Sequence, residues 1–241
     1  MKILLLITKS IEFLKEVLVE DNTFTDSRDG HKYKFVSLGN NQIWMAENLA
    51  WLPSVNSYFE GSKTEKRYYV YNYNSNDLAV ARANANYAKW GVLYNWPAAM
   101  NGAEGTNSSP SGVQGACPAG WHLPGDAEWK KLETFLGMTP VQADFMEWRG
   151  SDEGKKLKNA TGWNLGGGGT NLIGFSALPG GRRDYFGSTL GGGSLGFWWT
   201  TSVTQDGYAN PYYRELSGSS GQVYRNFFGP DTGAAIRCVK D

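Results

Sequence analysis

The chain has 241 residues, a length that suits one large domain, and its 23 Lys+Arg against 23 Asp+Glu leave no net charge. No basic block exceeds the pairs Lys130-Lys131, Lys155-Lys156 and Arg182-Arg183, which disfavours nucleic-acid binding. Aromatic residues make up 14% and glycines number 31, a combination that excludes a helical bundle and suits short strands joined by glycine-bearing loops.

Residues 1–22 come first. Met1-Lys2-Ile3-Leu4-Leu5-Leu6-Ile7 looks like the start of an export signal, but Thr8-Lys9-Ser10 interrupts the apolar run, and neither a cleavage site nor a lipobox cysteine follows. The segment is read as a degenerate export signal or as an amphipathic helix with Leu4, Ile7, Ile11, Leu14 and Leu18 at helical spacing. No stretch is long enough to span a membrane. From residue 23 to residue 241 one domain is expected. Tyr33, Phe35 and Val36 alternate with polar residues after the Asp29-Gly30 turn signal and predict a hairpin. Residues 51–87, rich in Asn and Tyr, read as extended chain and loop. Trp90 to Trp96 is a dense apolar strand, and Asn101 to Gly115 an exposed loop.

Asp126 as N-cap, with Trp129, Leu132 and Leu136 on one face before Gly137, predicts the clearest helix. Thr139-Pro140-Val141-Gln142 is a capping box that opens a second helix, expected to end near Arg149-Gly150. Beyond Asp152 the chain reads as glycine-punctuated strands and loops, with Phe197 to Ser202 and Ala235 to Val239 the strongest strands. Helices in the middle of a strand-rich chain give the class α+β.

Several chemistries are disfavoured. Gly192-Gly193-Ser194-Leu195-Gly196 matches a nucleophile elbow, but both histidines, His31 and His122, lie upstream and no helix follows it. The overlapping G-x-G-x-x-G at Gly191 to Gly196 has no βαβ unit around it. Two histidines do not build a catalytic zinc site. Asp26, Asp29 and Asp152-Glu153 could furnish oxygen ligands to a structural calcium, although such turns are more often solvated caps, and no other cofactor is expected. Cys117 and Cys238 are too distant in sequence for a Cys-x-x-Cys site, which leaves a long-range disulfide and two buried thiols both open.

Ala116-Cys117-Pro118-Ala119-Gly120-Trp121-His122-Leu123-Pro124-Gly125-Asp126-Ala127-Glu128-Trp129 resembles the Fibrobacter succinogenes major paralogous domain. Matches in the family's order are Asp26 to Gly30, Gln42 to Leu49, Gly91 to Trp96, Gly174 to Gly181, Trp198 to Ser202 and Ile236 to Asp241, so the resemblance begins near Phe24. It implies a C-type-lectin-like fold, a small twisted antiparallel sheet flanked by two helices with long irregular loops, distantly similar to the formylglycine-generating enzyme. It also implies a disulfide between Cys117 and Cys238. The reactive cysteine pair of the enzyme relatives is not matched here, because only one cysteine lies late in the chain, and the Glu-Pro-Asn or Gln-Pro-Asp motif of calcium-dependent lectins does not occur.

The expected function is therefore a non-enzymatic module at the cell surface or outside the cell that binds a protein or carbohydrate ligand. The alternatives are a structural or diversified receptor-binding subunit of a surface or phage-like assembly and, disfavoured, a formylglycine-generating type of enzyme. The ligand is expected on the C-terminal aromatic loops, at Tyr185, Tyr208, Asn210, Tyr212, Tyr213, Tyr224, Asn226 and Phe228, a Tyr- and Asn-rich set of the kind that binding loops use.

Overall fold

The computed structural model describes residues 22–241; the expected helix at residues 3–19 lies outside them. Among the described residues no helix is long and apolar enough to cross a membrane. The hairpin read around Asp29-Gly30 forms from β1 (Asn22–Thr25) and β2 (Lys32–Ser37), with Gly30 in the left-handed region at φ 76°. The hairpin continues into a five-stranded antiparallel sheet with β3 (Ile43–Met45), β13 (Val239–Lys240) and β6 (Trp121–His122), in the order β1-β2-β3-β13-β6. A second antiparallel sheet has the order β10-β11-β12-β7, from β10 (Leu195–Val203), β11 (Pro211–Ser217), β12 (Val223–Phe227) and β7 (Glu147–Arg149). Two ribbons complete the strands, β4 (Tyr68–Tyr69) with β5 (Leu93–Tyr94), and β8 (Arg182–Arg183) with β9 (Thr189–Leu190). The class is α+β with antiparallel pairing throughout these sheets.

Strand β10 lies between two cores. Because successive side chains leave a strand on opposite faces, Phe197 and Trp199 join a cluster with Tyr33, Tyr94, Trp121 and Ile236, while Trp198 joins a second with Trp44, Trp129 and Phe175. The second cluster is built on aromatic edges, with Trp44 and Trp129 centred 4.9 Å apart and Trp129 and Phe175 5.8 Å apart. Cys117 and Cys238 are bonded to each other, 121 residues apart, at the centre of the first cluster.

Helices depart from the sequence reading in five places. Residues 51–87 contain α1 (Leu78–Arg82), and α2 (Ala85–Trp90) ends just beyond them. Asp77 and Asn84 cap the two helices through their side chains, a signal masked by the surrounding Asn-rich composition. The dense apolar run Trp90 to Trp96 is not one strand. Trp90 closes α2, only Leu93–Tyr94 pair as β5, and Asn95 accepts the amide of Ala98 to start α3 (Trp96–Met100).

Helix α4 (Asp126–Phe135) begins one residue earlier than expected, with Gly125 in the cap position. The carboxylate of Asp126 is taken by arginines of the second sheet, and Glu128 Oε2 accepts the Gly125 amide at 2.9 Å instead. The capping box of α5 (Pro140–Asp144) forms as expected, Thr139 and Gln142 each accepting the other's amide. This helix stops at Asp144 rather than near Arg149, because Glu147–Arg149 is drawn into pairing with β12. A further short helix, α6 (Glu153–Leu157), lies where only strands and loops were expected.

The closing run Ala235 to Val239 is extended, but only its end counts as β13. Its earlier part is shared between neighbours: Ala235 exchanges backbone hydrogen bonds with Phe197 and Trp199 of β10, while the carbonyls of Ile236 and Cys238 accept the amides of Leu49 and Met45. The C-terminal segment thereby ties the two sheets together.

Candidate ligand-binding site

Strand β11 divides its side chains between two environments. Arg214 and Leu216 face α4, and Tyr213 and Glu215 face the other way. On the inner side Asp126 and Glu133, both on α4, meet three arginines from three strands. Asp126 accepts Arg214 Nη1 at 2.7 Å and Arg225 Nε at 2.8 Å; Glu133 accepts Arg214 Nε at 2.6 Å and Arg149 Nη1 at 2.7 Å. Burial would raise the Asp126 carboxyl, but Arg214 and Arg225 hold it far below the usual carboxylate range. With Arg149, Arg214 and Glu133 all buried, this network orders the sheet from beneath and is closed to a ligand.

The outer side is different. The pairing register sets Phe197 opposite Glu215, Glu215 opposite Tyr224, and Tyr224 opposite Trp148, so one row of side chains crosses all four strands. Phe228 stacks on Tyr213, with ring centres 3.6 Å apart and planes 8° apart, and the Arg182 guanidinium lies 4.5 Å from the Phe228 ring and 5.2 Å from Phe197. Trp148 and Tyr224 make the open end of the row, their rings 4.9 Å apart, with Trp148 39% exposed. Together these residues line a depression of about 440 Å³. Arg182 and Phe228 also line an adjoining depression of about 320 Å³, with Asp184, Tyr185, Asn210 and Phe227.

Glu215 is the anomaly of this surface. Its carboxylate makes no hydrogen bond and no ion pair with any described residue. Burial among the rings pushes its carboxyl up to about 7, with Arg182 offsetting only part of the rise. Arg182, likewise, has its guanidinium on rings and not on an acceptor.

The eight residues expected to bind are only partly brought together. Tyr213, Tyr224 and Phe228 lie on the outer face, with Tyr213 buried as its floor, and Asn226 reaches the Tyr224 hydroxyl at 3.1 Å. Tyr185 and Asn210 line the adjoining depression. Tyr212 points to the opposite face, its ring 4.4 Å from the Arg225 guanidinium. Tyr208, 82% exposed, sits in the β10–β11 connection and lines neither depression. Tyr212, Tyr213 and Tyr224 are on strands rather than loops, and an alternating strand sends adjacent residues to opposite faces. Trp148, Arg182, Phe197 and Glu215 were absent from the expected set. The alternation of Tyr213 and Glu215 against Arg214 and Leu216 is the signal that could have found Glu215; Trp148 was hidden inside an expected helix.

Other polar clusters are engaged within the fold. His122 lies between Glu128 Oε1 at 2.7 Å and Asp241 Oδ1 at 2.6 Å. Both ring nitrogens thus face carboxylates, leaving neither free as a base or ligand. The carboxylates considered for calcium are also occupied: Asp26 binds Arg28, Asp29 accepts the His31 amide, Asp152 pairs with Lys156 and Glu153 accepts the Ser151 amide. No group of three or more His, Cys, Asp or Glu that could hold a metal occurs among the described residues.

The model of the Fibrobacter succinogenes major domain matches residues 36–240 of this chain. The chain belongs to that family. Its motifs now have places in a Fibrobacter succinogenes major domain: Cys117 to Trp129 leads through β6 into α4, and Ile236 to Asp241 supplies β13 and the second half of the disulfide. No curated protein and no solved structure matches the chain.

Proposed function

We propose that this domain is a non-enzymatic binding module of C-type-lectin-like architecture, working at the cell surface or outside the cell, whose ligand seats on the outer face of the β10-β11-β12-β7 sheet. The observation that carries this reading is Glu215, a half-buried carboxylate in an aromatic depression with no hydrogen bond or ion pair to any described residue and only the field of Arg182 to offset its burial. Such a group costs stability, and a purely structural role would be better served by a neutral side chain. Perturbed, unpaired groups in a concave aromatic surface are what binding sites contain. The surrounding rim exposes the large apolar side chains of Leu190, Phe227, Tyr185 and Phe186, and exposed apolar residues grouped around a depression are a feature of interaction sites. A disulfide fits an oxidising location, and engagement of both cysteines in it leaves no thiol for chemistry of the formylglycine-generating type.

The test is a protein and glycan array probed with the wild type and with Trp148→Ala, Tyr224→Ala, Tyr208→Ala and Tyr212→Phe. Binding to a hit should fall about tenfold or more in the first two, the loss of about 1.4 kcal/mol or more typical of an aromatic anchor. The last two should leave it unchanged. Hits indifferent to Trp148 and Tyr224 would place the site elsewhere.

The cost of Glu215 can be measured without a ligand. Its carboxyl titrates near 7 when folded, against an ordinary value of 4.5, so the folded state holds the proton more tightly and stability falls as pH rises through that window. Glu215→Gln is expected to change little at pH 4 and to stabilise by on the order of 1 kcal/mol at pH 8, after allowance for solvent screening of a partly exposed group. Urea denaturation at the two pH values checks this; an equal effect at both would mean that Glu215 is not held in a desolvated state.

A further inference from the structure

We infer that the outer face takes a neutral, hydroxyl-rich sugar chain, with Arg182 as donor, Glu215 as acceptor and the Trp148 and Tyr224 rings as the platform; the inference rests on that face being the binding site. Arg182 and Glu215 are opposite in charge, line the same depression and are each without a hydrogen-bond partner. A guanidinium offers five N–H donors and a carboxylate about four acceptor positions. An anionic ligand would meet Glu215, and a cationic one Arg182, so a ligand of either net charge leaves one group opposed. Hydroxyl groups satisfy both, because each is donor and acceptor at once, and adjacent hydroxyls can span a guanidinium or carboxylate edge.

Rings provide the rest of the fit. Trp148 and Tyr224 present apolar surface at the open end of the row, where the C–H face of a sugar ring can lie. The depression shares Arg182 and Phe228 with its neighbour under Tyr185 and Asn210, so two adjoining open depressions, and not one closed pocket, lie along this face for consecutive units of a chain. A peptide backbone also carries donors and acceptors, but it binds sheets by adding a strand to an edge. Of the two edges, β10 is already covered by backbone hydrogen bonds from Gly181 and Ala235, and β7 is only three residues long, with Glu147 at φ 65°.

The experiment is calorimetric titration of the full chain with a panel of neutral hexasaccharides differing in sugar and linkage, an uncharged peptide of mixed sequence, and tetramethylammonium. At least one hexasaccharide is expected to bind. Its affinity should fall about tenfold or more in Trp148→Ala and in Arg182→Ala, recover in Trp148→Phe, and stay constant between about 50 and 500 mM salt, since no net charge is transferred. Urea midpoints of each variant separate loss of fold from loss of site. Binding of none of the hexasaccharides overturns the sugar assignment. If the peptide or tetramethylammonium binds instead and is lost in Trp148→Ala, the face stands and the sugar class is wrong; if no titrant that binds responds to Trp148→Ala, the site itself is wrong.

Discussion

Replacing Glu133 with alanine is expected to destabilise the domain by about 3–5 kcal/mol, because it strands buried cations with no counter-charge. Glu133 is fully buried and is the acid that accepts both Arg149, through two N–H groups at 2.7 and 3.0 Å, and Arg214 Nε at 2.6 Å. Arg214 would retain Asp126, but Arg149 has no other ion pair among the described residues. The loss should be read as the cost of uncompensated charge and not as the net worth of the pair. For that reason Glu133→Leu combined with Arg149→Met should be less damaging than Glu133→Ala alone. Urea denaturation gives both values; a Glu133→Ala loss below about 1 kcal/mol would show that water or rearrangement solvates the arginines.

The second large effect is expected from the disulfide. Converting Cys117 and Cys238 together to alanine should remove about 2–5 kcal/mol, chiefly by freeing the unfolded chain from a long covalent loop. The two residues are 121 apart in sequence, both fully buried, and sit between β6, β13 and the first core cluster. The double variant is also compared with the reduced wild type, which lacks the bond but keeps both sulfurs. Similar stability of the two would assign the effect to the cross-link; a much weaker double variant would assign it to packing of the sulfurs in the core. A loss under about 1 kcal/mol in both would mean that the closing segment is held by its hydrogen bonds to Leu49, Met45, Phe197 and Trp199 alone.

Local signals succeeded where a residue acts on its sequence neighbours. The Asp29-Gly30 turn, the Thr139–Gln142 capping box and the apolar face of α4 all involve residues within a few positions of one another, and all are present. They failed where a distant partner competes. Asp126 reads as an N-cap, but two buried arginines offer its carboxylate more than a helix amide does. Arg149 reads as a helix end, but pairing with Val223 takes it into a sheet. The apolar run at Trp90 to Trp96 has no periodicity of its own to separate helix from strand, and capping by Gly91 and Asn95 divides it.

By itself the sequence determined the family, through spaced motifs that survive without any knowledge of the fold, and with it the α+β class and the pairing of Cys117 with Cys238. Only the tertiary structure decided which aromatic residues share a surface. Tyr212 and Tyr213 are adjacent in the chain and lie on opposite faces of one strand, whereas Trp148, Glu215 and Phe197, tens of residues apart, are set side by side by strand register. Composition records that a chain holds many rings; a sheet's alternation and pairing determine which of them meet. The same holds for Glu215, which reads as an ordinary surface acid until the rings from three other segments close around it and remove its water.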